Sequence, residues 1–194
     1  MPAPKNALAV GPRVYLRRPS PRDAAAFIAG VRQSERLHRG WVQAPTTAAG
    51  FAAYLRRFAG PRSRTARSAT HAGVVVCKLA DHALLGMFNF SEIVRGAFNS
   101  SYLGYYAFAP HAGHGYMSEG LELTLGLAFG KLRLHRVEAN VQPTNRRSVA
   151  LVRHAGFTRE GFSRRYVKIA GRWRDHERWA MLAEDWRRLR RERQ

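Results

Sequence analysis

The chain has 194 residues, 45% apolar and 11% aromatic, enough for one domain with a real core and too apolar for a disordered chain. Its single cysteine excludes an internal disulfide and a cysteine-rich zinc site, and no apolar run nears the roughly 20 residues that span a bilayer. Lys and Arg number 33 against 13 Asp and Glu, a net charge of +20 that suits a polyanion such as RNA and equally a merely soluble arginine-rich surface.

The opening MPAPKNALAVGPR holds no secretory apolar core, so a cytoplasmic protein is expected. Val14–Arg18 reads as a first strand. Ser20, Pro21 and Asp23 supply an N-cap, a proline for the first helical position and an acid for the first turn. The helix that follows turns Ala24, Phe27, Ile28 and Val31 inward. Leu37–Gln43 reads as a loop carrying Trp41. Thr46 or Thr47 caps a second helix with Phe51, Tyr54, Leu55 and Phe58 on one face. Gly60–Ser68 reads as a basic connector.

Three strands are expected next. Ala72–Leu79, containing Cys77 as a core residue, pairs through a turn with Leu84–Ile93. After a loop at Val94–Asn99, the aromatic run Tyr102–Phe108 forms the third, ended by Pro110. Gly113 and Gly115 then bracket His114, and from Leu121 the apolar residues recur at helical spacing. A glycine turn before a helix is a cradle for phosphate, because the first turn offers free N–H groups and glycine keeps no β-carbon in the way. It fits a ligand-free turn equally well.

Arg136–Val141 is expected as a strand parallel to the aromatic one, since a helix-length crossover joins them. Thr144 is expected to cap a helix over Asn145–His154, closed by Gly156. Thr158–Ile169 and Trp173–Leu182 form a hairpin around Ala170 and Gly171, and a basic tail helix ends the chain. The order β-α-α-β-β-β-α-β-α-β-β predicts an α/β (mixed α+β) fold: one domain with a core over about 13–186 and a basic tail at 187–194.

Several segments together resemble the GNAT superfamily of N-acetyltransferases, in its RimJ/RimL-type branch that modifies ribosomal-protein alanine. YLGYYAFAP leading into AGHGYMSEGLELTLGLAF resembles the family's strand, G-x-G-Y-x-x-E turn and helix. LHRVEANVQPTNRRSVALVRHAGFTREG resembles H-R-V-E-A-x-V, N-x-x-S and G-F-x-x-E-G in order. GRWRDHERWAM resembles the closing G-x-x-x-D-H strand. The resemblance covers Val14 to Trp186.

That resemblance implies a mixed, mostly antiparallel sheet splayed between two parallel central strands, with helices on both faces and acetyl-CoA in the opening. The pyrophosphate would rest on the backbone of Gly113, His114, Gly115, Tyr116, Met117 and Ser118. Tyr106, Ala107 and Phe108 would offer backbone groups to the pantetheine arm, and Asn145 would reach the cofactor. Arg146, Arg147 and Arg153 are candidates for the nucleotide phosphates, or form a solvated helix face. Pro110 and His114 depart from the family pattern, where Gln or Arg often stands at the first and Lys or Arg at the second.

The implied chemistry is direct attack of an amine on the thioester, with no metal. Ser148 resembles the residue given the acid role, and its hydroxyl also fits a bond back to its own helix. Glu138 and Asn140 alternate onto one face of their strand as candidates near the reacting amine; a water relay is the default base and Glu138 the first carboxylate to test. Glu119 is read as structural. Trp41, Asn89 and Trp173 are placed around the acceptor, where core packing or an edge hydrogen bond would serve as well. The acceptor is expected to be a peptide or protein N-terminus, ribosomal in the first instance, or else a small amine. A non-catalytic acetyl-CoA-binding or RNA-binding module is the alternative of another class. No membrane partner is expected, weak RNA or ribosome contact is allowed for, and the protein is expected as a monomer or homodimer.

Overall fold

The strands with the most continuous apolar sequence lie in the interior of the sheet. In the computed structural model, which describes residues 4–58 and 70–193, β2 (Val14–Arg17), β3 (Ala72–Lys78), β4 (Leu84–Val94) and β5 (Ser100–Ala107) are neighbours. Val74–Cys77 are buried without a break, as expected of a strand covered on both faces. The basic connector read at Gly60–Ser68 lies outside the described residues.

Eight strands form one sheet in the order β1-β2-β3-β4-β5-β6-β8-β7. β1 (Ala9–Val10) is a short edge strand that the sequence pattern did not show. β6 (Arg136–Val141) runs parallel to β5, and all the other neighbouring pairs are antiparallel. β7 (Thr158–Ile169) and β8 (Arg172–Leu182) form the expected hairpin. The β5–β6 ladder pairs Ser100 with Arg136, Ser101 with Val137 and Tyr102 with Glu138, and there it stops. Beyond Tyr102 the two strands part.

Helices cover both faces. α4 (Tyr116–Gly126), α5 (Arg146–His154) and α6 (Ala183–Glu192) pack over one core cluster that includes Phe88, Leu103, Val137 and Met181. α1 (Ala24–Gln33) and α3 (Ala48–Arg56) cover the other, built on Tyr15, Phe27, Val75, Tyr106 and Phe108. α2 (Glu35–His38) is a single helical turn at the start of the stretch read as a loop.

The caps follow from local chemistry. Thr47 accepts a hydrogen bond from Gly50 N–H at 3.1 Å and starts α3. Asn145 accepts one from Ser148 N–H at 3.2 Å, so Asn145, not Thr144, caps α5. Gly156 follows α5 with a φ of +91°. α4 begins at Tyr116, directly after the glycine turn and ahead of the apolar repeat that starts at Leu121, and a widened π turn over Leu127–Lys131 extends it. Among the described residues no helix is long and apolar enough to cross a membrane.

Candidate active site

The gap between β5 and β6 exposes main-chain groups that a sheet normally pairs. Phe108 N–H donates to Leu85 of β4 at 2.8 Å. Successive residues of a strand point their backbone groups to opposite sides, so those of Tyr105 and Ala107 face the gap. One is taken: the Ala107 carbonyl accepts a hydrogen bond from His38 Nε2 at 2.8 Å. A carbonyl only accepts, so Nε2 carries the proton, and Nδ1 is left buried without a partner. Burial lowers the His38 pKa and keeps the ring neutral.

At the carboxyl end of β5 lies the glycine turn. Gly113 and Gly115 have φ of +87° and +78°, the left-handed region that favours glycine. Nothing stands within 4 Å of where a β-carbon on Gly113 would be. The backbone N–H groups of Gly113, His114, Gly115, Tyr116 and Met117 find no acceptor among the described residues; those of Ser118 and Glu119 turn back to the Gly115 carbonyl. This is an open nest of donors at the positive end of α4, and it fits a phosphate or pyrophosphate. Arg13 closes one side, donating to the His114 carbonyl at 3.1 Å and lying 5.1 Å from the Tyr116 ring centre. Glu119 anchors the turn: its carboxylate accepts from the N–H groups of Arg13 and Val14 at 2.7 and 3.0 Å and from Arg13 Nε at 2.9 Å. That is the structural part expected of it.

A cleft of about 340 Å³ continues from the gap. Asn140, Asn145, Ser148, Trp41 and Asn89 all line it, so four separate segments bring the expected residues together. Inside, the Tyr105 hydroxyl lies 2.6 Å from Ser148 Oγ. Burial pushes the Tyr105 pKa up to about 12, so the phenol stays protonated. Asn140 Oδ1 is buried and unpartnered. Asn89 lies over Gly104, where a β-carbon would come within 3.0 Å of its Nδ2. Among the described residues no carboxylate lines the cleft; the ionisable side chains there are tyrosines, Arg57 and His176.

The remaining candidates lie elsewhere. Glu138 is held by Arg136 Nε at 2.8 Å and is outside the cleft wall, and Arg136 also binds Glu160. Trp173 is 60% exposed on β8, opposite Lys168 near the hairpin tip, and does not line the cleft. Arg146, Arg147 and Arg153 stand exposed on α5. The Phe108 side chain is buried in the core beneath α1 and α3, whereas that of Tyr106, in the same cluster, also lines the cleft. Three cleft or gap residues, Tyr105, His38 and His176, had no role in the sequence reading. His176 did stand in the D-H pair of the closing strand, and that pair was the one available signal.

Comparison with known proteins agrees with this geometry. The family model for an acetyltransferase (GNAT) domain matches residues 13–158. The probable N-acetyltransferase YjcK of Bacillus subtilis is 41% identical over 106 residues, 55% of this chain and 59% of that protein. The ribosomal protein uS5-alanine N-acetyltransferase of Escherichia coli is 39% identical over 103 residues, 53% of each. The match thus spans little more than half the length of these two relatives. Mycobacterium smegmatis RimJ, solved with CoA-disulfide, superposes with a TM-score of 0.78 at 27% identity, over 94% of this chain and 93% of that one.

Proposed function

The chain belongs to the GNAT acetyltransferase family, and on that premise we propose that it transfers acetyl from acetyl-CoA to the α-amine of a peptide or protein N-terminus. The observation that carries this reading is the gap beyond Tyr102 and Glu138, with the donor nest at one end and the Tyr105–Ser148 pair in the cleft beside it. Acetyl-CoA is the co-substrate and supplies the activated thioester.

The residues divide the work. The N–H groups of Gly113–Met117 hold the pyrophosphate. The gap-facing N–H groups of Tyr105 and Ala107 are fixed donors for the pantetheine arm and for the oxyanion that forms on the attacked carbonyl. The Ser148 hydroxyl, backed by protonated Tyr105, delivers a proton to the leaving sulfur. Trp41, Asn89 and Asn140 line the space for the acceptor.

The cleft favours a peptide over a polyamine or aminoglycoside. Such amines carry several ammonium groups, and a buried ammonium needs an anionic partner. No carboxylate is offered among the described residues, while Tyr54, Asn89, Asn140 and Gln142 suit a peptide backbone. A ribosomal protein is the natural first acceptor to try, given the activity named for the Escherichia coli relative, and the +20 charge suits a partner rich in RNA. The test is acetyl-CoA-dependent thiol release with peptides beginning in Ala, Ser or Met against a panel of polyamines and aminoglycosides. Turnover confined to the peptides is expected. Turnover confined to the small amines would overturn the choice of acceptor.

A further inference from the structure

A proton must leave the attacking amine, and the cleft has no carboxylate to take it among the described residues. We propose that Nε2 of His176 is the proton acceptor. This rests on the acetyltransferase reading above and adds the missing base to it.

His176 lies on β8, opposite Ser163 of β7, and lines the cleft although it is only 4% exposed. Its Nδ1 is 3.0 Å from the Arg174 carbonyl. Since a carbonyl cannot donate, Nδ1 carries the hydrogen, and the neutral ring must present its lone pair at Nε2. Nε2 has no hydrogen-bond partner among the described residues and is not sealed from solvent, and the residue lines the cleft. A fixed tautomer with a free nitrogen, on a residue of the cleft wall, is what a general base requires.

The surroundings keep the ring neutral. Burial lowers its pKa, against smaller opposing effects from the Arg174 hydrogen bond and the charge of Asp175. The groups around it are Tyr166 and Ser163 from β7, Arg174, Asp175 and Arg178 from β8, and Asn140 and Gln142 from the β6 side, with Tyr54 and Arg57 elsewhere on the cleft wall. The Tyr166 ring centre is 6.1 Å from that of His176.

The step balances. The amine lone pair forms the C–N bond, and the thioester C–S bond breaks with its electron pair leaving on sulfur. One proton passes from nitrogen to His176 Nε2, and one passes from the Tyr105–Ser148 hydroxyls to sulfur. Solvent then takes the proton from the imidazolium and restores the one on the hydroxyls.

The experiment pairs kinetics with NMR. With a short Ala-initiated peptide as acceptor, His176→Asn keeps a donor for Arg174 but has no basic nitrogen; kcat/KM is expected to fall roughly a hundredfold or more, with acetyl-CoA affinity unchanged. In the wild type, the imidazole nitrogen signals should show the Nδ1–H tautomer and a protonation midpoint below about 6.5 that coincides with the acid limb of kcat/KM. An acid limb that survives His176→Asn, or a His176 midpoint away from that limb, would overturn the role of His176 alone. A wild-type protein that neither binds acetyl-CoA nor releases thiol with any amine would overturn the acetyltransferase reading and this role with it. The NMR midpoint keeps the test decisive even if the substituted protein folds poorly.

Discussion

The hydroxyls of Tyr105 and Ser148 lie 2.6 Å apart, one at the edge of the strand gap and the other in the first turn of the next helix. The contact ties β5 to α5 beyond Tyr102, the last residue of the β5–β6 ladder. Removing either hydroxyl should show in kcat more than in binding. Ser148→Ala is expected to lower kcat about a hundredfold, and Tyr105→Phe, which removes one hydrogen bond, about tenfold. Steady-state kinetics with calorimetric acetyl-CoA titration checks both. Equal losses in kcat and in acetyl-CoA affinity would instead make the pair a cofactor contact.

The donor nest depends on backbone shape. Gly113→Ala meets no steric neighbour, but its φ of +87° costs an L-residue about 1–2 kcal/mol. The new β-carbon would also stand in the open space before α4. Weakening of acetyl-CoA binding by about tenfold is expected, with a small fall in melting temperature. Unchanged affinity would move the pyrophosphate elsewhere.

Gly104 makes room for Asn89. In Gly104→Ala the new β-carbon would lie 3.0 Å from Asn89 Nδ2 and 3.1 Å from Oδ1, so the amide must shift. The acceptor KM is expected to rise about tenfold while acetyl-CoA affinity holds, because a small displacement of a positioning group is costly. The readout is KM for the two substrates measured separately.

Asp23 links pH to stability away from the cleft. Its burial would raise the pKa, but hydrogen bonds from Arg17 at 2.6 and 2.8 Å and from Ser20 N–H at 2.7 Å outweigh this and lower it. A depressed carboxylate pKa stabilises the fold above the unfolded value, near 3.9, and that stability is lost as pH falls through the folded value. Asp23→Asn is expected to cost about 3 kcal/mol at neutral pH by leaving the largely buried Arg17 guanidinium without its counter-charge. The gap to wild type should narrow below about pH 4. Denaturant melts across pH test this.

Much of the architecture could be read from residue patterns. The span of β6 and the hairpin turn at Ala170 and Gly171 followed from apolar alternation and glycine chemistry, and the parallel neighbour followed from the length of the crossover. Elements that rest on few residues escaped: β1 pairs only Ala9 and Val10, and α2 is one turn long. The α5 cap was misplaced because Thr144 and Asn145 are adjacent and both competent; only geometry selects Asn145. In the cleft, the motifs pointed to Ser148 and Asn145. Tyr105 read as one strand aromatic among several, and its partner lies 43 positions away in the chain. The tautomer of His176 is set by a carbonyl contact that residue types do not disclose.

An unpaired strand edge on a protein surface invites another chain to join it, with aggregation as the result. Here the unpaired stretch of β5 is internal, with β4 bonded along one side and the gap opening on the other. Ser148 of α5 stands over this stretch, its hydroxyl 2.6 Å from that of Tyr105. The bare donors and acceptors of this stretch thus lie inside the sheet and not on its outer edge, and His38 covers the Ala107 carbonyl that would otherwise remain bare.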